Sequence, residues 1–216
     1  MVLVVFFSFL LSLVGTQPNN SKNLNDPNAK LILDAVTKTY KSYPSIQVTF
    51  TILTEYPQGK SSTQNGQVLI KGDKYKLLLG NQEVYCDKSS IWTFLKDINE
   101  VQINDYEPSQ TEITPANMFT IYHSDFYYQQ NTNENIGNVS CKTVDLMPKD
   151  KTKPYFKIRL WVDAKNNIKQ LKMFDKNGTR YIYKVNTMNT SQKLDDATFI
   201  FDAKKHPGVH VEDLRM

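Results

Sequence analysis

The stretch from Tyr155 to Val185, YFKIRLWVDAKNNIKQLKMFDKNGTRYIYKV, leaves the chain little choice but an antiparallel meander. Phe156, Ile158, Leu160 and Val162 alternate with Lys157, Arg159, Trp161 and Asp163, the period-two pattern of a strand with one dry face. Between LKMF and RYIYKV, the turn Asp175-Lys176-Asn177-Gly178-Thr179 carries Asn-Gly, the pair that accepts the positive φ angles of a type I′ hairpin. The third strand sets Tyr181, Tyr183 and Val185 on one side and Arg180 and Lys184 on the other. Something must cover the apolar side.

The rest of the chain repeats the theme. Asp26-Pro27 supplies a helix cap and a proline at the first helical position, and Ile32, Leu33, Val36 and Tyr40 follow at helical spacing. This helix should end before Pro44. Ser45 to Tyr56 alternates as a strand, with Ile46, Val48, Phe50 and Ile52 on one side. Shorter strands are expected over 66–71, 74–79, 82–86, 91–95 and 100–104, separated by Gly and Asn turns. Thr114-Pro115 starts a second helix, apolar on nearly every side through Met118, Phe119, Ile121 and Tyr122. A strand over 126–129, a loop over 131–138 and a strand over 139–146 lead into the meander. Leu194 to Ala197 forms a turn before Phe199-Ile200-Phe201.

Ten strands at ~4.8 Å spacing and ~20 Å length make a face of roughly 1,000 Å². Two helices of about 18 and 8 residues cover roughly 400 Å² of it. A sheet so under-covered either curls and fills its own interior or leaves an apolar hollow for a guest. The adaptable Met118 on an all-apolar helix favours the hollow. The expected fold is mainly β with a few helices (α+β): an incomplete antiparallel β-barrel of about ten to eleven strands, closed by a helical lid over an apolar cavity.

At 216 residues the chain fits one domain. Its net charge of +4 comes from scattered lysines rather than a basic block, which argues against nucleic acid as a partner. Val2 to Val14 is uncharged and of the length of a signal-peptide core, so residues 1–17 read as an export signal; a membrane anchor or buried strand is the alternative. Residues 18–25 read as a flexible polar tail and residues 26–216 as the single domain. In an exported chain the two cysteines, Cys86 and Cys141, suggest one disulfide worth roughly 4 kcal/mol, or else two small buried thiols.

Catalytic patterns are missing. His206, His210, Glu212 and Asp213 could hold a metal, but Pro207-Gly208 breaks the helix that would align them. There is no nucleophile elbow, phosphate-cradling loop or Cys-His pair, so no enzyme and no cofactor is expected. The sequons at Asn138, Asn177 and Asn189 are what chance gives in an Asn-rich chain.

Taken in order, AVTKTYKSYPSIQVTF, VYCDKSSIWTFLKDINEVQI, ITPANMFTIY, VDLMPKDK and the ending FIFDAKKHPGVHVEDLR resemble the periplasmic outer-membrane lipoprotein carrier family LolA, in its Bacteroidetes-like form. The resemblance implies a monomeric periplasmic carrier. It would shield the acyl chains of lipoproteins between an inner-membrane ABC-type releasing complex and an outer-membrane acceptor. Proteobacterial members latch the lid with an Arg before a proline-containing turn; the equivalent Ile70-Lys71-Gly72-Asp73 has neither. Lys71 is the nearest cation to such a latch, without the planar fork of Arg. The residues expected to face the cavity are Val48, Phe50, Ile52, Tyr75, Leu77, Leu79, Trp92, Phe94, Phe156, Ile158, Leu160 and Tyr183. Leu33, Val36, Met118 and Phe119 are expected on the lid. Two rival functions are a lipid-sensing or envelope-stress regulatory module of related fold, and a secreted hydrolase using His206, His210 and Asp213.

Overall fold

A computed structural model describes residues 25–107, 114 and 122–215. Helix α1 (Pro27–Ser42) begins where the Asp26 carboxylate accepts from the Asn28 amide and ends as the Tyr43 amide bonds Tyr40 O, one residue before Pro44. It buries Ala29, Ile32, Leu33, Val36 and Tyr40, the stripe its spacing predicts.

Twelve strands follow among the described residues. The first six are β1 (Ile46–Glu55), β2 (Ser61–Lys71), β3 (Lys74–Leu79), β4 (Gln82–Cys86), β5 (Ser90–Leu95) and β6 (Glu100–Asp105). After the helical turn α2 (Tyr122–Asp125) come β7 (Phe126–Ile136), β8 (Val139–Pro148), β9 (Tyr155–Val162), β10 (Ile168–Asp175), β11 (Arg180–Asn189) and β12 (His210–Asp213). They form one sheet in the order β12-β6-β5-β4-β3-β2-β1-β11-β10-β9-β8-β7. The pairing of β1 with β11 joins the two meanders. All pairs are antiparallel except β12 with β6.

The sheet is open. Its edges are β7 and β12, and its strand count exceeds the ten to eleven expected. One polar stretch adds a strand, and two others lengthen strands already expected. Ser61 to Asn65 lengthens β2, and the span read as a loop at 131–138 instead continues β7 to Ile136. His210 to Asp213 adds the parallel edge strand. In each case the ladder of a neighbouring strand outweighs weak local β propensity.

Register defines two faces. Ile46, Ile70, Tyr75 and Cys86 stand opposite one another across β1 to β4, as do Val48, Val68, Leu77 and Val84 in the next rung. These residues join Val144, Leu146, Ile158, Leu160 and the buried stripe of α1 in the main core. We call this the inner face. Helix α1 is held to it at both ends. Asp26 N donates to Tyr128 O at 3.1 Å and Gln130 N donates to the Asp26 carboxylate at 3.0 Å. At the far end Ile168 N donates to Tyr40 Oη at 3.2 Å, and Tyr43 Oη donates to Asn167 Oδ1 at 3.1 Å.

A smaller core of Tyr85, Phe94, Val101 and Phe201, with Trp92 and Val209 against it, lies on the outer face. The C-terminal segment covers it through two 3-10 turns, Asp196–Phe199 and Ala203–Lys205. The Phe201 ring packs 5.2 Å from Phe94 and 5.7 Å from Tyr85. Lys71 and Lys74 both grip Asp196 at 2.9 Å, and Lys71 also donates to Leu194 O.

Candidate functional site

The inner face is unequally covered. Where α1 lies over β7 to β9, Val144, Leu146, Ile158, Leu160 and Val162 are all at 1% exposure or less. Along β1 to β5 and β10 to β11 the same face is mixed: Ile46, Val48, Ile70, Tyr75, Cys86 and Leu171 are buried, while Phe50, Leu77, Leu79, Val84, Met173 and Tyr183 are only half-buried. The alternation within each strand places these side chains in one apolar field. Burial pushes up the hydroxyls of Tyr40, Tyr75 and Tyr183, so these three stay uncharged across the neutral range.

Gly66 gives this field its flattest spot. A Cβ there would lie 2.4 Å from Phe50 Cζ and 3.1 Å from Leu79 Cδ1, so the Phe50 ring rests directly on bare backbone. At the helical turn, Tyr122 is 2% exposed inside the same core, and its Oη has no hydrogen-bond partner among the described residues. One recess bounded by described residues, lined by Asp125, Phe126, Pro148, Lys149, Asp150, Lys153 and Tyr155, holds about 170 Å³. That is below the roughly 300 Å³ of ordinary small-molecule pockets.

Of the expected cavity residues, register brings Val48, Phe50, Ile52, Tyr75, Leu77, Leu79, Ile158, Leu160 and Tyr183 to the inner face. Val48, Ile52, Tyr75, Ile158 and Leu160 are buried there, so they serve as core. Leu33 and Val36 lie on α1 at 1% exposure or less. Met118 and Phe119 lie outside the described residues.

Three expectations need correction. Trp92 and Phe94 pair with Ile103 and Val101 on the outer face and pack with Phe201. Strand β5 has apolar residues on both sides, and its inner ones are Ile91 and Leu95. Phe156 sits at a register shift in β9, where Lys157 faces Phe174 and Tyr155 faces Asp175; this bulge leaves it 46% exposed. Cys86 and Cys141 are both free and buried. They stand on β4 and β8, seven strand spacings or about 34 Å apart along the sheet, and on opposite faces, so no disulfide can join them.

Lys71 serves the C-terminal segment of the outer face; its hydrogen bonds there go to Leu194 and Asp196. The residues considered for metal or hydrolytic work make separate contacts. The His206 ring packs 4.3 Å from Phe94 and 4.7 Å from Phe201, His210 approaches Glu212 at 3.5 Å, and Asp213 accepts from Arg215 Nε at 2.8 Å. Leu95, Val84 and Met173 belong to the apolar field but were absent from the expected set. Their signal is the register of strands already recognised, which local alternation cannot supply.

A solved structure shares this architecture. A conserved uncharacterized protein from Thermus thermophilus superposes with a TM-score of 0.59 at 12% identity, covering 88% of this chain and 99% of that one. A LolA superfamily protein from Nitrosomonas europaea aligns over 81% of this chain and 98% of its own, at 18% identity and a TM-score of 0.47. No curated protein matches. The family described as outer membrane lipoprotein carrier protein LolA matches residues 41–202. With that match spanning most of its length, the chain belongs to the LolA family.

Proposed function

We propose that the chain is a periplasmic carrier that holds the acyl chains of lipoproteins against the half-buried part of its inner face. The observation that carries this reading is the unequal cover of one continuous apolar face. Under α1 the face is solid core, whereas beyond it, among buried residues such as Val48 and Tyr75, Phe50, Leu77, Leu79, Val84, Met173 and Tyr183 keep surface in reserve. Each CH₂ withdrawn from water contributes about 0.8 kcal/mol. A long acyl chain laid on this field therefore supplies on the order of 10 kcal/mol before the ordering of chain and protein is subtracted. Such binding is reversible and involves no covalent chemistry, so release needs an acceptor with stronger affinity.

Family membership supports the rest of the scheme. The chain is exported through residues 1–17, takes cargo from an inner-membrane ABC-type releasing complex and passes it to an outer-membrane acceptor, acting as a monomer. Incubation with a purified triacylated lipoprotein tests it. A soluble one-to-one complex without detergent is expected. Aggregation of the lipoprotein at every ratio, or uptake of free lipid alone, would refute the carrier role.

A further inference from the structure

One end of the sheet carries exposed aromatic rings among cations, Lys151, Lys176 and Arg180, that form no ion pair among the described residues. Phe156 is 46% exposed and Tyr56 44%. They belong to one rim, because β1 and β11 meet at Glu55 and Arg180, and β9 and β10 meet at Tyr155 and Asp175. The loop after Tyr56 reaches the hairpin turn before Arg180: a Cβ on Gly178 would lie 3.0 Å from Pro57 Cγ. Arg180 stands 5.7 Å from the Phe156 ring and donates to the carbonyls of Asp175 and Thr179. Exposed Lys176 donates to Lys151 O, and exposed Lys151 donates to Pro148 O. These acceptors are neutral, so the charges persist. The nearby acids Asp150 and Asp175 accept from the amides of Thr152 and Asn177; Asp150 also lies near Lys153 and Lys176 and offsets part of their charge.

We propose that this rim docks on an anionic lipid bilayer. Aromatic rings and long cationic side chains are the pairing that settles at a membrane interface, rings at headgroup depth and charges on the phosphates. The placement has a consequence for the carrier reading, on which it builds. Met173 and the half-buried Tyr181 of the inner face lie in the rungs nearest this same end, since Met173 faces Tyr181 and Tyr181 faces Thr54, next to the Glu55–Arg180 pair. Docking by the rim therefore brings the open end of the apolar field to the lipid surface, where an acyl chain can pass without crossing water.

Vesicle flotation of the full chain tests the docking without any lipoprotein. Vesicles of phosphatidylcholine with 30 or so mole per cent phosphatidylglycerol are compared with phosphatidylcholine alone, because the apolar run at 2–14 would join either kind equally. Preferential binding to the anionic vesicles is expected. Each cation at such a surface is worth roughly five-fold in binding, so Lys151→Ala with Lys176→Ala should weaken it by about 30-fold. Phe156→Ser should weaken it further with unchanged thermal stability. Equal binding to both vesicle types, or a double variant indistinguishable from the parent, would overturn the proposal. Either failure would leave capture of a lipoprotein in solution untouched.

Discussion

Truncating Leu160 and Leu77 to alanine, one at a time, separates the covered part of the inner face from the open part. Leu160 is fully buried, facing Val144 on β8 and Leu171 on β10. Its loss leaves a cavity that the surrounding strands cannot collapse into, at a cost of about 3 to 5 kcal/mol. In a domain of this size that corresponds to a fall of about 6 to 20 °C in Tm. Leu77 has the same chemistry but is only half-buried between Val68 and Val84. Its truncation should cost about 1 kcal/mol, or about 2 to 4 °C. The order reverses for binding. Leu77→Ala should weaken capture of a fluorescent lipopeptide about ten-fold, equivalent to about 1.4 kcal/mol, and Leu160→Ala should leave it nearly unchanged in the folded protein. Thermal unfolding followed by circular dichroism, with lipopeptide titration at 20 °C, reads both quantities. Equal destabilisation by the two variants, or weaker binding from Leu160→Ala alone, would refute the division of the face.

Other outcomes follow from single contacts. Hydrogen bonds and charge from Lys71 and Lys74 hold the Asp196 carboxyl at about 2, below its ordinary 3.8. A depressed carboxylate stabilises above its ordinary value and loses that contribution as acid protonates it. The C-terminal segment should thus loosen as pH falls from about 4 towards 2, with Trp92 fluorescence reporting the change and Asp196→Asn removing this pH step. Cys86 and Cys141 should resist a thiol reagent in the native state, both react after denaturation, and show no mobility change on reduction. Burial raises both thiols, which reinforces that inertness. Tyr122→Phe removes a buried hydroxyl without a partner among the described residues, and should raise stability by about 1 kcal/mol in a denaturant titration.

Where local chemistry decides structure, the sequence was a close guide. Asp26-Pro27 and Pro44 bracket α1, and the Gly72-Asp73 and Gly80-Asn81 turns delimit β3 and β4 to the residue. The polar edge strands were not legible. Asn131 to Ile136 and His210 to Asp213 have little β propensity of their own and pair only because β8 and β6 present ladders to them. The face of β5 was ambiguous for a different reason. Ile91 and Leu95 oppose Trp92 and Phe94, and only Phe201, more than a hundred residues later in the chain, decides which pair lies outside. Phe156 was misassigned because a bulge resets the pleat, and alternation cannot announce a bulge. The candidate site was legible as an excess of apolar wall; which part of that wall is open depends on where α1 comes to rest.

Photocrosslinking tests that location most directly. A benzophenone side chain placed singly at Leu77, Tyr183 or Phe94 is irradiated with a lipoprotein carrying isotopically labelled acyl chains. Adducts to the acyl chains should form from positions 77 and 183 on the inner face and be absent from position 94 beneath the C-terminal segment. Adducts from position 94 alone, or from none of the three while a soluble complex persists, would contradict the account.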